Sequence, residues 1–350
     1  MRANGASTPL GDITPLTSKA HEAGMELSLV IPVWNDTEGL DRLLNQVAEL
    51  GLFSEVIVWD DASDVPLGPE MVPSSRSLAG RIAWLRSDRQ RGAGHARNLA
   101  LDRVTGSHVI FFDSDDLFAE DFPEIVASAA AETKPFDFVI FRHDDSRITE
   151  QGGRGSFPSE EKRWEAVRAT RDLTRLTTAQ AAELCQISAY PWNKIYRTDF
   201  LRENSIRCTE IAVHNDLELH WSSFIVARNI LATGLTGATH FWHATGTRLT
   251  NRRGDERLDV FHAFENTLLR IVSYPDMDRL TFLHPFFHFS FNLIGWIREH
   301  TEAAYHEALL ARSREYLHSV IDKRLMTLIA YRDPTLAHRI NRLLIEGVLP

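Results

Sequence analysis

Asp113-Ser114-Asp115-Asp116 follows directly on the apolar run His108-Val109-Ile110-Phe111-Phe112. A run of this kind predicts a buried strand. In an open α/β sheet the crevice beyond the carboxyl ends of the strands is where ligands bind. Three carboxylates this close repel one another and are costly to desolvate unless something positive lies between them. Mn2+ or Mg2+, hard cations that prefer oxygen, suit that place and usually arrive with a substrate phosphate. Asp113, Asp115 and Asp116 are therefore the expected metal set, Asp116 either as a further ligand or as support just outside the ligand shell. Alone, the pattern is weak, because acid pairs also close strands as solvated turns or helix caps.

Other charged groups fall at matching places. Asp36 follows the apolar run Leu27–Val33, and Asp60, Asp61 and Asp64 follow Val56–Trp59. In a parallel sheet these ends share one edge, so the three acid groups converge on one crevice. A basic segment, Arg81, Arg86, Arg89, Arg91, Arg97 and Arg103, runs beside them. Arginine forks match diphosphates, and Arg91 and Arg97, which flank Gly92-Ala93-Gly94, are those expected to face a ligand.

The elements that must position these residues can be read in outline. After the first strand, Asn35 and Glu38 have the spacing of a capping box. The helix that follows carries Leu40, Leu43, Leu44, Val47 and Leu50 on one face. A third strand is predicted at Arg81–Leu85, a helix after the glycine turn with Ala96, Leu99, Ala100 and Val104 inward, and a fifth strand at Phe136–Phe141. Strands alternating with helices predict an α/β fold with a mostly parallel central sheet flanked by helices. Residues 144–161, polar and carrying Gly152, Gly153 and Gly155, read as a loop or flap. From Thr178 helices predominate, and from Asp255 the chain reads as almost wholly helical. The expected organisation is a disordered tail (1–24), a ligand-binding α/β half (25–145), an acceptor-side half (146–254) and a helical C-terminal region (255–350).

Composition bounds the function. With 38 basic and 48 acidic residues the formal charge is −10, which argues against a nucleic-acid partner. The two cysteines, Cys185 and Cys208, are too few for a disulfide framework and fit a reducing cytoplasm as idle buried thiols. No stretch approaches the roughly 18 consecutive apolar residues of a membrane helix, and the first 24 residues lack a signal peptide's apolar core. Phe282–Phe291 is aromatic but short and reads as helix core or a homodimer surface. Peripheral contact with the inner face of the cell membrane is the lesser reading for that region.

Four segments, Leu29-Val30-Ile31-Pro32-Val33-Trp34-Asn35, Val58-Trp59-Asp60-Asp61-Ala62-Ser63, Gly94-His95-Ala96-Arg97-Asn98-Leu99-Ala100 and Phe112-Asp113-Ser114-Asp115-Asp116, resemble in order and approximate spacing glycosyltransferase family 2. These are GT-A fold enzymes that use nucleotide-sugar donors. Trp192-Asn193-Lys194-Ile195-Tyr196-Arg197 is similar to a segment of the family's capsule and polysaccharide transferases. The resemblance implies that Asp61 binds the nucleotide base, typically uracil, with Pro32 and Val33 lining the same pocket. It implies that Asp113 and Asp115 hold ribose and metal, with Ser114, Arg91, Arg97 and Lys194 completing the nucleotide-sugar set. The family's catalytic base is the aspartate of a Glu-Asp pair, which falls here on Asp216, with Asn215 in place of the glutamate and Glu218 as fallback. A capping role for Asn215 or Asp216 at the start of that helix is compatible with catalysis. His243 stands where the family has an arginine and is a candidate fourth metal ligand. Trp192 and Trp221 are read either as stacking platforms for an acceptor sugar or as core.

The function implied is an inverting, metal-assisted transfer of a sugar, from a UDP-sugar, to a hydroxyl of a glycan or lipid-linked glycan. Two rivals remain. A sugar nucleotidyltransferase would carry a glycine-rich loop after the first strand, which Pro32–Asp36 lacks. A non-catalytic nucleotide-sugar or glycan-binding module is suggested only by the altered Glu-Asp pair.

Overall fold

The computed structural model describes residues 24–242 and 252–350. Its centre is β1 (Leu27–Val33), in which all seven residues are buried, as a branched aliphatic run between two layers requires. β1 pairs in parallel with β2 (Glu55–Asp60) on one side and with β4 (His108–Phe111) on the other. β3 (Ile82–Arg86) continues the parallel set beyond β2. The later strands complete the sheet in the order β3-β2-β1-β4-β8-β6-β9-β5. β8 (Lys194–Arg197) lies antiparallel between β4 and β6 (Phe138–Asp145). β9 (Ile230–His240) runs parallel to β6, β5 (Leu117–Phe118) caps that edge, and β7 (Thr174–Arg175) also pairs with β9. Strands from beyond residue 145 thus sit inside the sheet, and the two halves read from the sequence share it.

The helix α1 (Thr37–Leu50) buries Leu40, Leu43, Leu44 and Val47 as the period predicts. Its cap differs from expectation: Asp36, not Asn35, accepts from the Gly39 N–H at 3.1 Å. Asn35 is turned into the left-handed region (φ 51°), a conformation asparagine tolerates. There its amide exchanges two hydrogen bonds with Asp64, at 2.8 and 3.1 Å, joining the turns after β1 and β2. The helix after the glycine turn, α2 (Ala93–Leu101), buries Ala96 and Ala100, with Leu99 half-buried.

Residues 144–161 are more ordered than a flap. β6 runs on to Asp145, whose carboxylate accepts from the Arg147 N–H at 2.9 Å and so caps the short α4 (Ser146–Thr149). α3 (Phe122–Ala131) precedes β6, and α5 (Pro158–Val167), α6 (Thr178–Leu184), α7 (Thr198–Glu203) and α8 (Leu217–Val226) follow. Glycine content in this segment signalled turns between short elements, not one long loop.

The C-terminal region is helical as expected: α9 (Val260–Ser273), α10 (Leu283–His300), α11 (His306–Val320), α12 (Lys323–Arg332) and α13 (Pro334–Asn341). Phe286, Phe287 and Phe291 are buried, so the aromatic stretch is core. One apolar cluster runs from Val30 through Ala96, Trp221 and Phe286 to Leu343, which welds these helices to the sheet. Cys185 and Cys208 are buried free thiols. Among the described residues no helix is long and apolar enough to cross a membrane.

The turn after β2 shows how the sheet shapes its edge. Asp60 is 1% exposed. Its carboxylate accepts from the N–H groups of Ser63 (2.8 Å) and Leu67 (3.2 Å) and pairs with Arg86. Ala62 is held at φ 63° within that turn. Asp60 is therefore the brace of the turn that carries Asp61. Asp60→Ala is expected to cost about 1–3 kcal/mol, the usual penalty for leaving buried donors unpaired, read as a lower urea midpoint.

Candidate active site

Arg97 enters from α2 and is almost wholly buried. Its guanidinium donates to Asn215 Oδ1 at 2.7 Å and pairs with Asp113 through its other terminal nitrogen. Burial opposes the charge, but Asp113, with Cys208 and Asp216 nearby, outweighs it and holds Arg97 more firmly protonated than usual. One side chain thus ties the end of β4 to the turn before α8.

Asp216 closes that turn, immediately ahead of α8 (φ −83°, ψ −14°), and its side chain does not cap the helix. Burial pushes its carboxyl up to about 6; Arg97 opposes this, and Asp113 adds to it. Lys194, expected among the ligand-binding residues, is fully buried instead. Its ammonium donates to the Tyr190 carbonyl (2.8 Å) and to Asn193 Oδ1 (2.6 Å). Burial draws it down to about 7, with Asp216 opposing, so it acts on Asp216 as a charge within the fold. Glu218, the fallback base, accepts from Thr209 Oγ1 (2.7 Å) and from Asn266 (3.0 Å). Through that one carboxylate oxygen it links the turn to α9.

The acid cluster divides its labour. Ser114 donates to Asp36 Oδ2 at 2.6 Å, and Arg42 donates to the Asp115 carbonyl at 2.6 Å while lying 5.0 Å from the Phe241 ring centroid. Asp116 is buried and accepts from His240 Nδ1 (3.0 Å) and the Phe241 N–H (2.9 Å). Burial raises its pKa against the pull of His240. Among the described residues no three histidine, cysteine or acidic side chains come together as a metal cage. In this structure Asp113 pairs with Arg97, and His240 and a backbone N–H fill Asp116. Arg97, Arg42 and His240 bring the protein's own cationic side chains to this cluster. His243 lies outside the described residues.

The other end of the crevice is built around Asp61, whose carboxylate accepts from the N–H groups of Gly92 (2.6 Å) and Arg91 (3.0 Å). Burial raises its pKa and those hydrogen bonds oppose the rise. Val33 lies beneath it, its carbonyl accepting from the Asp61 N–H at 2.8 Å, and Pro32 is buried beside it in β1. Arg91 is at the rim, half-exposed, and reaches Glu210 at 3.2 Å. Trp192 and Trp221 are both fully buried, which corrects their reading as sugar platforms. Trp192 stacks on Tyr190 (4.5 Å between centroids) and lies 5.8 Å from His240, and Trp221 packs on Phe286 (5.1 Å).

Three contributors escaped sequence reasoning: His240, Arg42 and the direct partnership of Asn215 with Arg97. His240 is the last residue of β9, three positions before the histidine singled out, and only the strand register brings it to Asp116.

The family model described as "Glycosyl transferase family 2" matches residues 28–186. Among curated relatives, poly(ribitol-phosphate) beta-N-acetylglucosaminyltransferase TarS of Staphylococcus aureus (strain MW2) is 28% identical over 192 residues, covering 52% of this chain and 29% of that one. An uncharacterized glycosyltransferase of Rickettsia bellii (strain RML369-C) is 29% identical over 131 residues, 36% of this chain and 18% of that one. The chain thus spans less than a third of the length of these relatives. Among solved structures, S. aureus TarS 1-349 in complex with UDP-GlcNAc superposes with a TM-score of 0.70 at 19% identity, covering 92% of this chain and 89% of that one. Mannosyltransferase PcManGT from Pyrobaculum calidifontis, in complex with GDP-Man and Mn2+, gives 0.51 at 13% identity, covering 92% and 87%. The GT-A architecture with its helical C-terminal region is shared with the TarS fragment.

Arg97→Met is expected to lower stability by about 1–3 kcal/mol, since it leaves the buried Asn215 amide oxygen and the partly exposed Asp113 carboxylate without their donor. The same change should lift the Asp216 pKa further above about 6, because the principal opposing charge is gone. Chemical denaturation and carboxyl-carbon NMR titration would measure the two effects.

Proposed function

We propose that this chain, a member of glycosyltransferase family 2, moves a sugar from a nucleoside diphosphate donor to an acceptor hydroxyl with inversion, using Asp216 as general base. One observation carries the reading: Asp216 sits at the mouth of α8, uncapped, with its carboxyl raised to about 6. A base is most effective when its pKa lies near the working pH. Asp113 and Arg97 stand within electrostatic reach of it, which supports placing donor and acceptor sites side by side.

The donor nucleotide lies across the carboxyl ends of β1, β2 and β4, its base toward Asp61, Pro32 and Val33 and its diphosphate toward the acid cluster. UDP-GlcNAc, the ligand of the TarS fragment, is the first donor to test. Departure of the nucleoside diphosphate builds negative charge on its terminal phosphate, and fixed cations stabilise such charge best when preorganised. Arg91 and Arg42 bring positive charge to the two ends of this edge. Asp216 takes the proton of the attacking hydroxyl on the face opposite the leaving group. One base and one displacement give inversion without a covalent sugar–protein intermediate. The acceptor is a glycan or lipid-linked glycan, and the chemistry runs on the cytoplasmic side of the membrane, where nucleotide sugars are found.

Asp216→Asn is expected to keep donor binding and to lose at least about 10²-fold in transfer. In the parent, kcat/KM should rise with pH through about 6 as Asp216 ionises, the limb being absent in the variant. UDP release from UDP-GlcNAc with and without acceptor, alongside calorimetric binding of UDP, reads both. Tight donor binding with no turnover under any acceptor would instead favour a binding module.

A further inference from the structure

The groups that act on substrate are not the only ones that converge on Asp216. The turn that carries it, Cys208 to Asp216, is fastened along its length to one face of α2. Asn98 makes a two-way contact with the Cys208 backbone: its Oδ1 accepts the Cys208 N–H at 2.9 Å, and its Nδ2 donates to the Cys208 carbonyl at 2.9 Å. Glu210 meets His95 Nδ1 at 2.9 Å and Arg91 at 3.2 Å. Arg97 takes Asn215, one residue from the base. Gly94 makes the approach close enough, because a Cβ there would lie 2.7 Å from the Thr209 carbonyl and 2.8 Å from Asn215 Cβ. Within the turn, Thr209 N–H reaches the Asn215 carbonyl at 3.0 Å and closes it into a loop.

This fastening works against a backbone cost. His214 is held at φ 62°, a conformation that a non-glycine residue keeps only where its surroundings over-determine it. Its Nε2 is buried, and its ring lies 5.8 Å from that of Trp296 on α10. Neither Asn98 nor Glu210 lies among the groups assigned to donor or proton.

We propose that α2 is a cradle for the catalytic turn, and that Asn98 and Glu210 are positioning residues that hold Asp216 in its working place. The inference rests on the general-base reading of Asp216, and it assigns a second duty to the segment Ala96-Arg97-Asn98, whose arginine alone had been given one. It also accounts for the pairing of Arg91 with Glu210: the residue at the rim of the nucleotide pocket is joined by a single carboxylate to the loop carrying the base.

The test uses the full chain with Asn98→Ala, Glu210→Ala and Glu210→Gln. Asn98→Ala should lower kcat by about 10²-fold, the scale of a displacement of about 1 Å at a reacting group. Calorimetric UDP affinity should stay at the parental value. Backbone amides from 208 to 216 should exchange hydrogen faster than in the parent, and the acid limb of the pH profile should move below about 6 as Asp216 gains solvent. Glu210→Ala should behave likewise, and Glu210→Gln, which retains one acceptor oxygen for the α2 face, should recover part of the loss. The cradle is overturned by Asn98→Ala with parental kcat, by parental exchange at residues 208–216, or by a fall in UDP affinity equal to the fall in kcat. If Asn98→Ala does not fold, the Glu210 pair, at an exposed position, carries the same readouts. A parent with no transfer or UDP release would count against the general-base reading, while the exchange measurement would still decide whether Asn98 and Glu210 anchor the turn.

Discussion

A guanidinium taken out of water is tolerable only where its charge is answered. Arg97 meets that demand with two partners drawn from distant parts of the chain, a carboxylate at the end of β4 and an amide before α8. Because both ends must be present together, the sheet and the second-half helices can only close in one relative position. The crevice geometry follows from that closure: Asp113 is fixed in orientation, and Asp216 is fixed by being next to Asn215.

The exchange of a glutamate for Asn215 has a physical meaning in this setting. A second carboxylate on Arg97 would crowd three acids around one buried cation, with Asp113 and Asp216 already in reach. An amide accepts the same hydrogen bond without adding charge, so it leaves Arg97 free to offset the other two. The pKa of Asp216 is the balance of what burial adds and what Arg97 and Lys194 remove.

Much of this was legible in the residues. The buried strands and the period of α1 came from apolar spacing, and the family resemblance came from ordered motifs whose aspartates lie on one sheet edge. The burial of Lys194, and the choice of core over platform for the two tryptophans, could not be read from the residues, because a motif records which residues occur together and not which face of a strand or helix they occupy. The four residues of the acid cluster look equivalent in sequence, yet the backbone turns each one differently: Asp113 toward Arg97, Ser114 toward Asp36, the Asp115 carbonyl toward Arg42 and Asp116 toward His240. Contacts made by register between β9 and the acid cluster, more than 120 residues apart, leave no local trace. The same is true of the fastening of residues 208–216 onto α2.

The interior position of β8 has a consequence for how the chain comes into being. During synthesis β1 to β4 emerge long before residues 194–197 exist, and until then the outer edge of β4 offers bare N–H and C=O groups to any extended peptide nearby. Such an edge is an invitation to wrong partners. The nascent protein must therefore keep a half-built sheet shielded, by chaperone or by speed, over the time needed to make some ninety further residues.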